Sequence, residues 1–293
     1  MSRQDAKIQL CGGALLVSVL LVGSAGAQGA PETALPMAPS AVRQIEALVP
    51  VALFPLTGGP PQEQQTNSSQ SQDPDRGFVA AIKRGAKDQK EIYSAPFHRK
   101  NLKWDALFLL ATGGLIASDK HIAGAISHDN LSVSQHISDI GLYSTVATTG
   151  VMLASGILNK NEHARETGLL GFEAFANTFA VGAVTQLIAG RERPLEGAGQ
   201  GRFWVNNVPD SSFPSQHSGL TWSMASVLAH EYPKPWVQFL AYGTATTVSV
   251  TRVTGLKHFP ADVAVGGVFG YLIGQHIFHS HSRFLHPHRG QKV

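Results

Sequence analysis

QLIAGRERPLEGAGQGRFWVNNVPDSSFPSQHSGLTWSMASVLAHEYPKPWVQFLAYGTATTVSVTRVTGLKHFPAD, residues 186–262, sets three polar clusters between helix-like apolar segments. The first is Arg191-Glu192-Arg193-Pro194, the second Pro214-Ser215-Gln216-His217, and the third Arg252 followed by His258 and Asp262. Arginines, histidines and an aspartate at helix ends are the inventory for holding a tetrahedral oxyanion and attacking it, which points to phosphoryl chemistry.

Around these clusters the texture predicts six helices. They are expected at Trp104 to Ala117, Ile140 to Leu158, Arg165 to Ile188 (closed by Gly190), Ser215 to Glu231, Trp236 to Arg252, and Ala261 to Phe278. The polar stretch Lys120 to Ser138 has no sustained period and reads as a connection. Helices joined by short loops describe an all-α bundle. Because such helices run alternately up and down, the loops after the third and fifth meet at one end, bringing all three clusters together.

Pro214 suits a helix start, where the N–H groups of the first turn and the helix dipole make an anion site. Ser215 and the N–H groups of Ser215 and Gln216 are expected to donate to the anion, and His217 to carry a proton. Alone, the cluster reads more readily as an ordinary helix cap with a surface histidine. His258 and Asp262, four residues apart, are expected to pair directly, the carboxylate holding one ring nitrogen so that the other faces substrate. Arg252 supplies parallel donors to two oxygens. The bland reading is a structural Asp-His pair beside a snorkelling arginine.

Together the clusters resemble the type 2 phosphatidic acid phosphatase and vanadium-dependent haloperoxidase superfamily, whose signature is a lysine, six residues and Arg-Pro; then Pro-Ser-Gly-His; then Ser-Arg, five residues, a histidine, three residues and an aspartate. Arg193-Pro194, Pro214-Ser215 with His217, and Arg252, His258 and Asp262 match it, and the resemblance covers roughly Trp104 to Phe278. It implies two-step, metal-free hydrolysis: His258 attacks phosphorus to give a phosphohistidine, His217 protonates the alkoxide, and Arg193, Arg252, Ser215 and the N–H groups near Gln216 hold the oxygens. No cofactor and no metal are expected. Three positions depart. Thr251 replaces a serine and keeps the hydroxyl, Gln216 replaces the glycine, and Gln186 replaces the lysine and removes a cation. Arg191 is the expected substitute for that charge. A phosphate-binding envelope protein without turnover, or a vanadate-dependent haloperoxidase, is the alternative.

Residues 1–27 read as a signal peptide, with Arg3 and Lys7 ahead of an apolar run and Ala25-Gly26-Ala27 before Gln28. Cys11, the single cysteine, lies inside it, so no disulfide is expected. Residues 28–100 read as a largely flexible extension with short helical segments, Phe78 to Tyr93 among them; 101–280 as the phosphatase-like domain; and 281–293 as a His- and Arg-rich tail. His276, His279, His281, His286 and His288 are assigned to that exposed end rather than to a metal site.

The net charge of +3 and the lack of a long basic run exclude a nucleic-acid footprint. The expected partner is a phosphate ester, lipid or soluble. A mean hydropathy of -0.01, polar residues within the helices, and a parity argument favour an exported domain that is soluble or peripheral. In that parity argument a cleaved signal and six spans would place the clusters inside. An integral membrane protein is the alternative.

Overall fold

The computed structural model describes residues 78–95, 98, 101–205, 210–283 and 285. The expected signal peptide, the extension up to residue 77 and the tail from 286 lie outside them. Seven helices and no strand occur among the described residues: α1 Phe78–Ser94, α2 Leu102–Gly124, α3 Leu131–Leu158, α4 Glu162–Ala189, α5 Gln216–Glu231, α6 Pro235–Thr254 and α7 Pro260–His281.

The class is all-α as expected, with seven helices instead of six. The six of the sequence reading correspond to α2–α7, and α1 adds the seventh. Two of them start or end well beyond the expected bounds. The stretch Lys120 to Ser138 becomes the last turn of α2, a short connection and the first two turns of α3. Its period is hidden because the inward face of α3 is polar there: Gln135 Nε2 donates to Gly255 O at 2.9 Å, and Thr254 Oγ1 to Ser134 Oγ at 3.0 Å. Likewise α7 runs on to His281. His276, His279 and His281 therefore belong to a helix and not to a tail.

Local signals account for the ends. Asn161 caps α4, its side chain accepting from Ala164 N at 3.1 Å. Gly190 closes α4 in the left-handed conformation at φ 51°, which a residue without Cβ adopts freely. Pro235 and Pro260 open α6 and α7 where a missing N–H costs nothing.

Helix α5 is the axis of the bundle, with most of its residues buried. Val227 packs with Leu170, Ala174 and Val181 of α4 and with Ile273 and Ile277 of α7. Trp222, Ala225 and Ala229 meet Ala241 and Ala245 of α6, while Leu220 and Met224 meet Leu142 of α3. Against α7 the approach is backbone to backbone. A methyl group on Gly266 would collide with the Ser215 carbonyl, and one on Gly270 with that of Gly219. That closeness lets Ser215 N donate to Asp262 O at 2.9 Å, joining the first turns of α5 and α7.

The outer helices also carry large apolar side chains on their exposed faces. The buried residues of α3 are Ser138, Leu142, Thr149 and Gly156, whereas Ile140, Tyr143, Val151 and Ile157 are exposed. The α4 helix buries Leu170, Ala174 and Val181 beside Gly168, Gly171, Asn177, Thr178, Gly182 and Gln186, and exposes Leu169, Phe172, Phe179, Leu187 and Ile188. On α2, Leu110 is 75% exposed. Both α3 and α4 are long and apolar enough to cross a membrane.

Candidate active site

Three junctions converge on one end of the bundle: the α4–α5 loop, the α6–α7 turn and the C-terminal end of α2. The α4–α5 loop is laced to the helix ends through its backbone. Trp204 N and Val205 N donate to Ala189 O and Gly190 O at 2.9 and 3.0 Å, Glu192 N to Arg202 O at 2.9 Å, and Ser212 N to Arg191 O at 2.8 Å. The described parts of this loop, 191–205 and 210–215, are thereby tied to the helix ends.

His258 is buried, and its Nδ1 lies 2.8 Å from the carbonyl oxygen of Ser212. A carbonyl only accepts, so Nδ1 carries the proton and Nε2 keeps its lone pair. Burial, with the positive charges of Arg252 and Arg193 nearby, pushes the imidazole well below its usual range. The ring is therefore neutral at neutral pH, as a nitrogen nucleophile requires.

Asp262 holds His258 by a different route from the direct pair expected. Its Oδ2 is 3.9 Å from His258 Nδ1, too far for a hydrogen bond. The carboxylate instead accepts from Ser212 Oγ at 2.6 Å and Phe259 N at 2.8 Å through Oδ2, and from Arg191 Nη1 at 2.5 Å through Oδ1. As the third residue of α7 it turns back onto the helix cap, which uses the lone pairs a histidine would need. Ser212 stands between the two, bonded to Asp262 by its hydroxyl and to His258 by its carbonyl. Only the run Asp210-Ser211-Ser212 ahead of Phe213-Pro214 hints at it in the sequence.

Arg191 is also placed differently from its expected role at the anion. It is 2% exposed, gives Nη2 to Asp119 Oδ2 at 2.8 Å and Nε to Gly201 O at 3.1 Å, and lies between the rings of Phe203 and Phe259 at 4.7 and 4.5 Å. Two buried carboxylates and two aromatic faces saturate it, so it braces the site from behind. Asp119 also accepts from Ala261 N at 2.9 Å, which ties α2 to the start of α7.

Gln186 is equally inward. Its Nε2 donates to Pro214 O at 3.0 Å, and its Oε1 is 3.5 Å from Gln216 Nε2. Two of the three residues that depart from the resembled pattern thus touch each other. They bind the end of α4 to the turn before α5, and Gln216 lies against Gly182, where a lysine-and-glycine pair would leave a cation and a gap.

Of the arginines expected at the anion, Arg193 and Arg252 are not locked to buried carboxylates. Arg193 gives Nη2 to Asp210 Oδ1 at 2.5 Å, a carboxylate exposed enough to yield to a ligand. Arg252 is 6% exposed, donates through Nη1 to Ser138 Oγ at 3.2 Å, and leaves Nε without a hydrogen-bond partner. The Ser215 hydroxyl, also buried, has none either. The Ser215 N–H, expected to serve the anion, is spent on Asp262 O, so the backbone donors are those of Gln216 and His217 in the first turn of α5.

The sequence reading missed Asp139. Its Oδ1 lies 3.1 Å from His217 Nε2 and 3.3 Å from Arg252 Nη1, bridging the two side chains. It sits just past the stretch without period, 78 residues from His217 and 113 from Arg252, and no spacing rule reaches it. Replacing Asp139 by Asn removes the charge that stabilises a protonated His217. We expect kcat to fall about 10-fold and the alkaline limb of the pH profile to move to lower pH; steady-state kinetics across pH checks both.

Residues 168–285 match the sequence model of the PAP2 superfamily. A stretch of 77 residues is 27% identical to the lipid A 1-phosphatase of Porphyromonas gingivalis, covering 26% of this chain and 17% of that protein. The match thus spans less than a fifth of the relative. A crystal structure of a transmembrane PAP2 type phosphatidylglycerolphosphate phosphatase from Bacillus subtilis aligns with a TM-score of 0.42 at 20% identity, over 70% of this chain and 98% of that one.

Proposed function

Residues 168–285 belong to the PAP2 superfamily, and from that premise we propose that the chain is a membrane-embedded phosphatase that hydrolyses phosphate monoesters of lipids at His258. The observation that carries the chemistry is the His258–Ser212 bond: with Nδ1 held on a carbonyl, Nε2 is the lone pair the site presents.

In the first step His258 Nε2 forms a bond to phosphorus while the ester P–O bond breaks, and His217 transfers its proton to the departing alkoxide. In the second, neutral His217 takes a proton from water as its oxygen attacks phosphorus. The P–N bond breaks, the electron pair returns to Nε2, and phosphate leaves. Arg193, Arg252, the Ser215 hydroxyl and the first-turn N–H groups of α5 hold the equatorial oxygens. Ser212, braced by Asp262 and Arg191, fixes the nucleophile. Losing the family's lysine to Gln186 leaves two arginines to offset the charge.

Two features favour a lipid. Helices α3 and α4 expose Ile140, Val151, Ile157, Leu169, Phe172, Phe179 and Leu187 along lengths of 28 residues each, about 42 Å and longer than the hydrocarbon core. At the site end, Leu195, Trp204 and Val205 stand exposed on the loop that carries Arg193, Trp204 at 76%. Phe203, by contrast, is an anchor that packs on Phe213 at 5.6 Å.

The test is phosphate release by full-length protein in non-ionic detergent, with a chelator present. We expect kcat/KM for phosphatidic acid in mixed micelles to exceed that for p-nitrophenyl phosphate by at least about 10-fold, with inhibition by vanadate. A folded sample without turnover on either substrate would make the chain a phosphate-binding protein. Equal use of both, in protein that stays soluble without detergent, would remove the lipid and the membrane together.

The depressed His258 makes a further expectation. Its neutral form persists below the usual histidine range, so the acid limb of kcat/KM belongs at correspondingly low pH. Replacing Arg193 by Gln removes one of the charges that depress it. The limb then moves to higher pH while kcat falls about 100-fold.

A further inference from the structure

At the far end of the bundle a second polar cluster lies apart from the chemistry. His281 is 21 residues beyond Pro260 along α7, about 30 Å from the α6–α7 turn. There α1 docks on α4 and α7. Gln89 Nε2 donates to Asn177 Oδ1 at 2.7 Å and to Asn177 O at 3.1 Å, and Ile92 packs against the core.

Asp88, on the docked face of α1, is 1% exposed. Its Oδ1 is 2.9 Å from His281 Nε2 and 3.7 Å from His276 Nε2, which is itself 3.5 Å from Glu91 Oε2. Glu173 of α4 completes the group, and one ligand atom each from Asp88, Glu173 and His281 lie within 4.8 Å of one another. Arg84 Nε stands 3.6 Å from Glu173 Oε1.

As an ion-pair network alone this cluster is poorly satisfied. Asp88 Oδ2 and His276 Nε2 are both buried and neither has a hydrogen-bond partner, a cost that native structures rarely leave standing. One is a carboxylate oxygen and the other an imidazole nitrogen, the two atom types that a borderline divalent cation takes as ligands.

We propose that Asp88, Glu173 and His281, with His276 as the fourth ligand, form a structural site for one zinc-class divalent cation that fastens α1 to α4 and α7. Two imidazoles and two carboxylates suit a four-coordinate Zn(II), whereas Mg(II) and Ca(II) favour all-oxygen shells. Glu173 keeps one oxygen on Arg84 and gives the other to the metal, an outer-shell arrangement of the usual kind. The side chains close on the ion from their present spacing, drawing the three helices together.

Full-length protein in detergent, stripped by chelator, is titrated with Zn(II) against a chromophoric competitor. Beside it are run the Asp88→Asn/Glu173→Gln double variant and the milder His281→Gln. We expect about one equivalent bound per wild-type chain and held tightly enough to raise the unfolding temperature, neither effect in the double variant, weaker binding in His281→Gln, and no response to Mg(II). Phosphatase turnover, unchanged in both variants, certifies that they fold; if the double variant does not, His281→Gln decides. Equal zinc on wild-type and variant protein would assign the metal to other histidines and overturn the site. Failure of the stripped wild type to take up zinc would do the same.

Discussion

Replacing His258 by Ala is expected to lower kcat by roughly 10⁴- to 10⁶-fold, the scale at which removal of a covalent nucleophile acts when the remaining site only binds. The position allows little else. The ring is 3% exposed and hydrogen-bonded by Nδ1 to Ser212 O, so its removal leaves an empty pocket and one carbonyl without a donor. Acid-labile, base-stable phosphate trapped on the wild-type chain from labelled substrate, and absent from the variant, identifies the phosphohistidine. A variant retaining a tenth of the activity would place the nucleophile elsewhere, and water attacking directly would then be the mechanism to consider.

Arg191→Met is expected to cost about 3–5 kcal/mol of stability, the range measured when one partner of a buried ion pair is removed. Two carboxylates lose their counter-charge at once, Asp119 and Asp262, both essentially buried. Arg191→Lys rescues little, because an ammonium group lacks the planar fork that reaches Asp119, Asp262 and Gly201 O together and stacks between Phe203 and Phe259. Thermal unfolding in detergent reads the effect. A raised KM with an unchanged unfolding temperature would instead return Arg191 to the anion, the role its place in the sequence suggested.

These two residues mark where the sequence could be read and where it could not. His258 and Arg252 stand out because the chemistry demands their types at a spacing that one turn between helices imposes. Arg191 stands in the same cluster as Arg193, two residues away, and nothing in the local order separates a brace from a ligand. The separation comes from Asp119 and Gly201, which only packing brings to it. Asp139 is a similar case, since its partners His217 and Arg252 lie on two other helices.

By itself the sequence determined the helices around the clusters, the stop at Gly190, the end of the bundle where the polar clusters meet, and the kind of chemistry their residue types suggest. These follow from local rules, propensity and the alternation of helices, which act over a few residues. Tertiary structure alone decided that Ser212 stands between Asp262 and His258, that Gln186 and Gln216 bond each other, that α1 docks through Asp88, and that the apolar faces of α3 and α4 point outward. Each depends on which side chain fills a given space first. A buried donor or acceptor takes the nearest partner across the bundle, and distance along the chain has no say in which one that is.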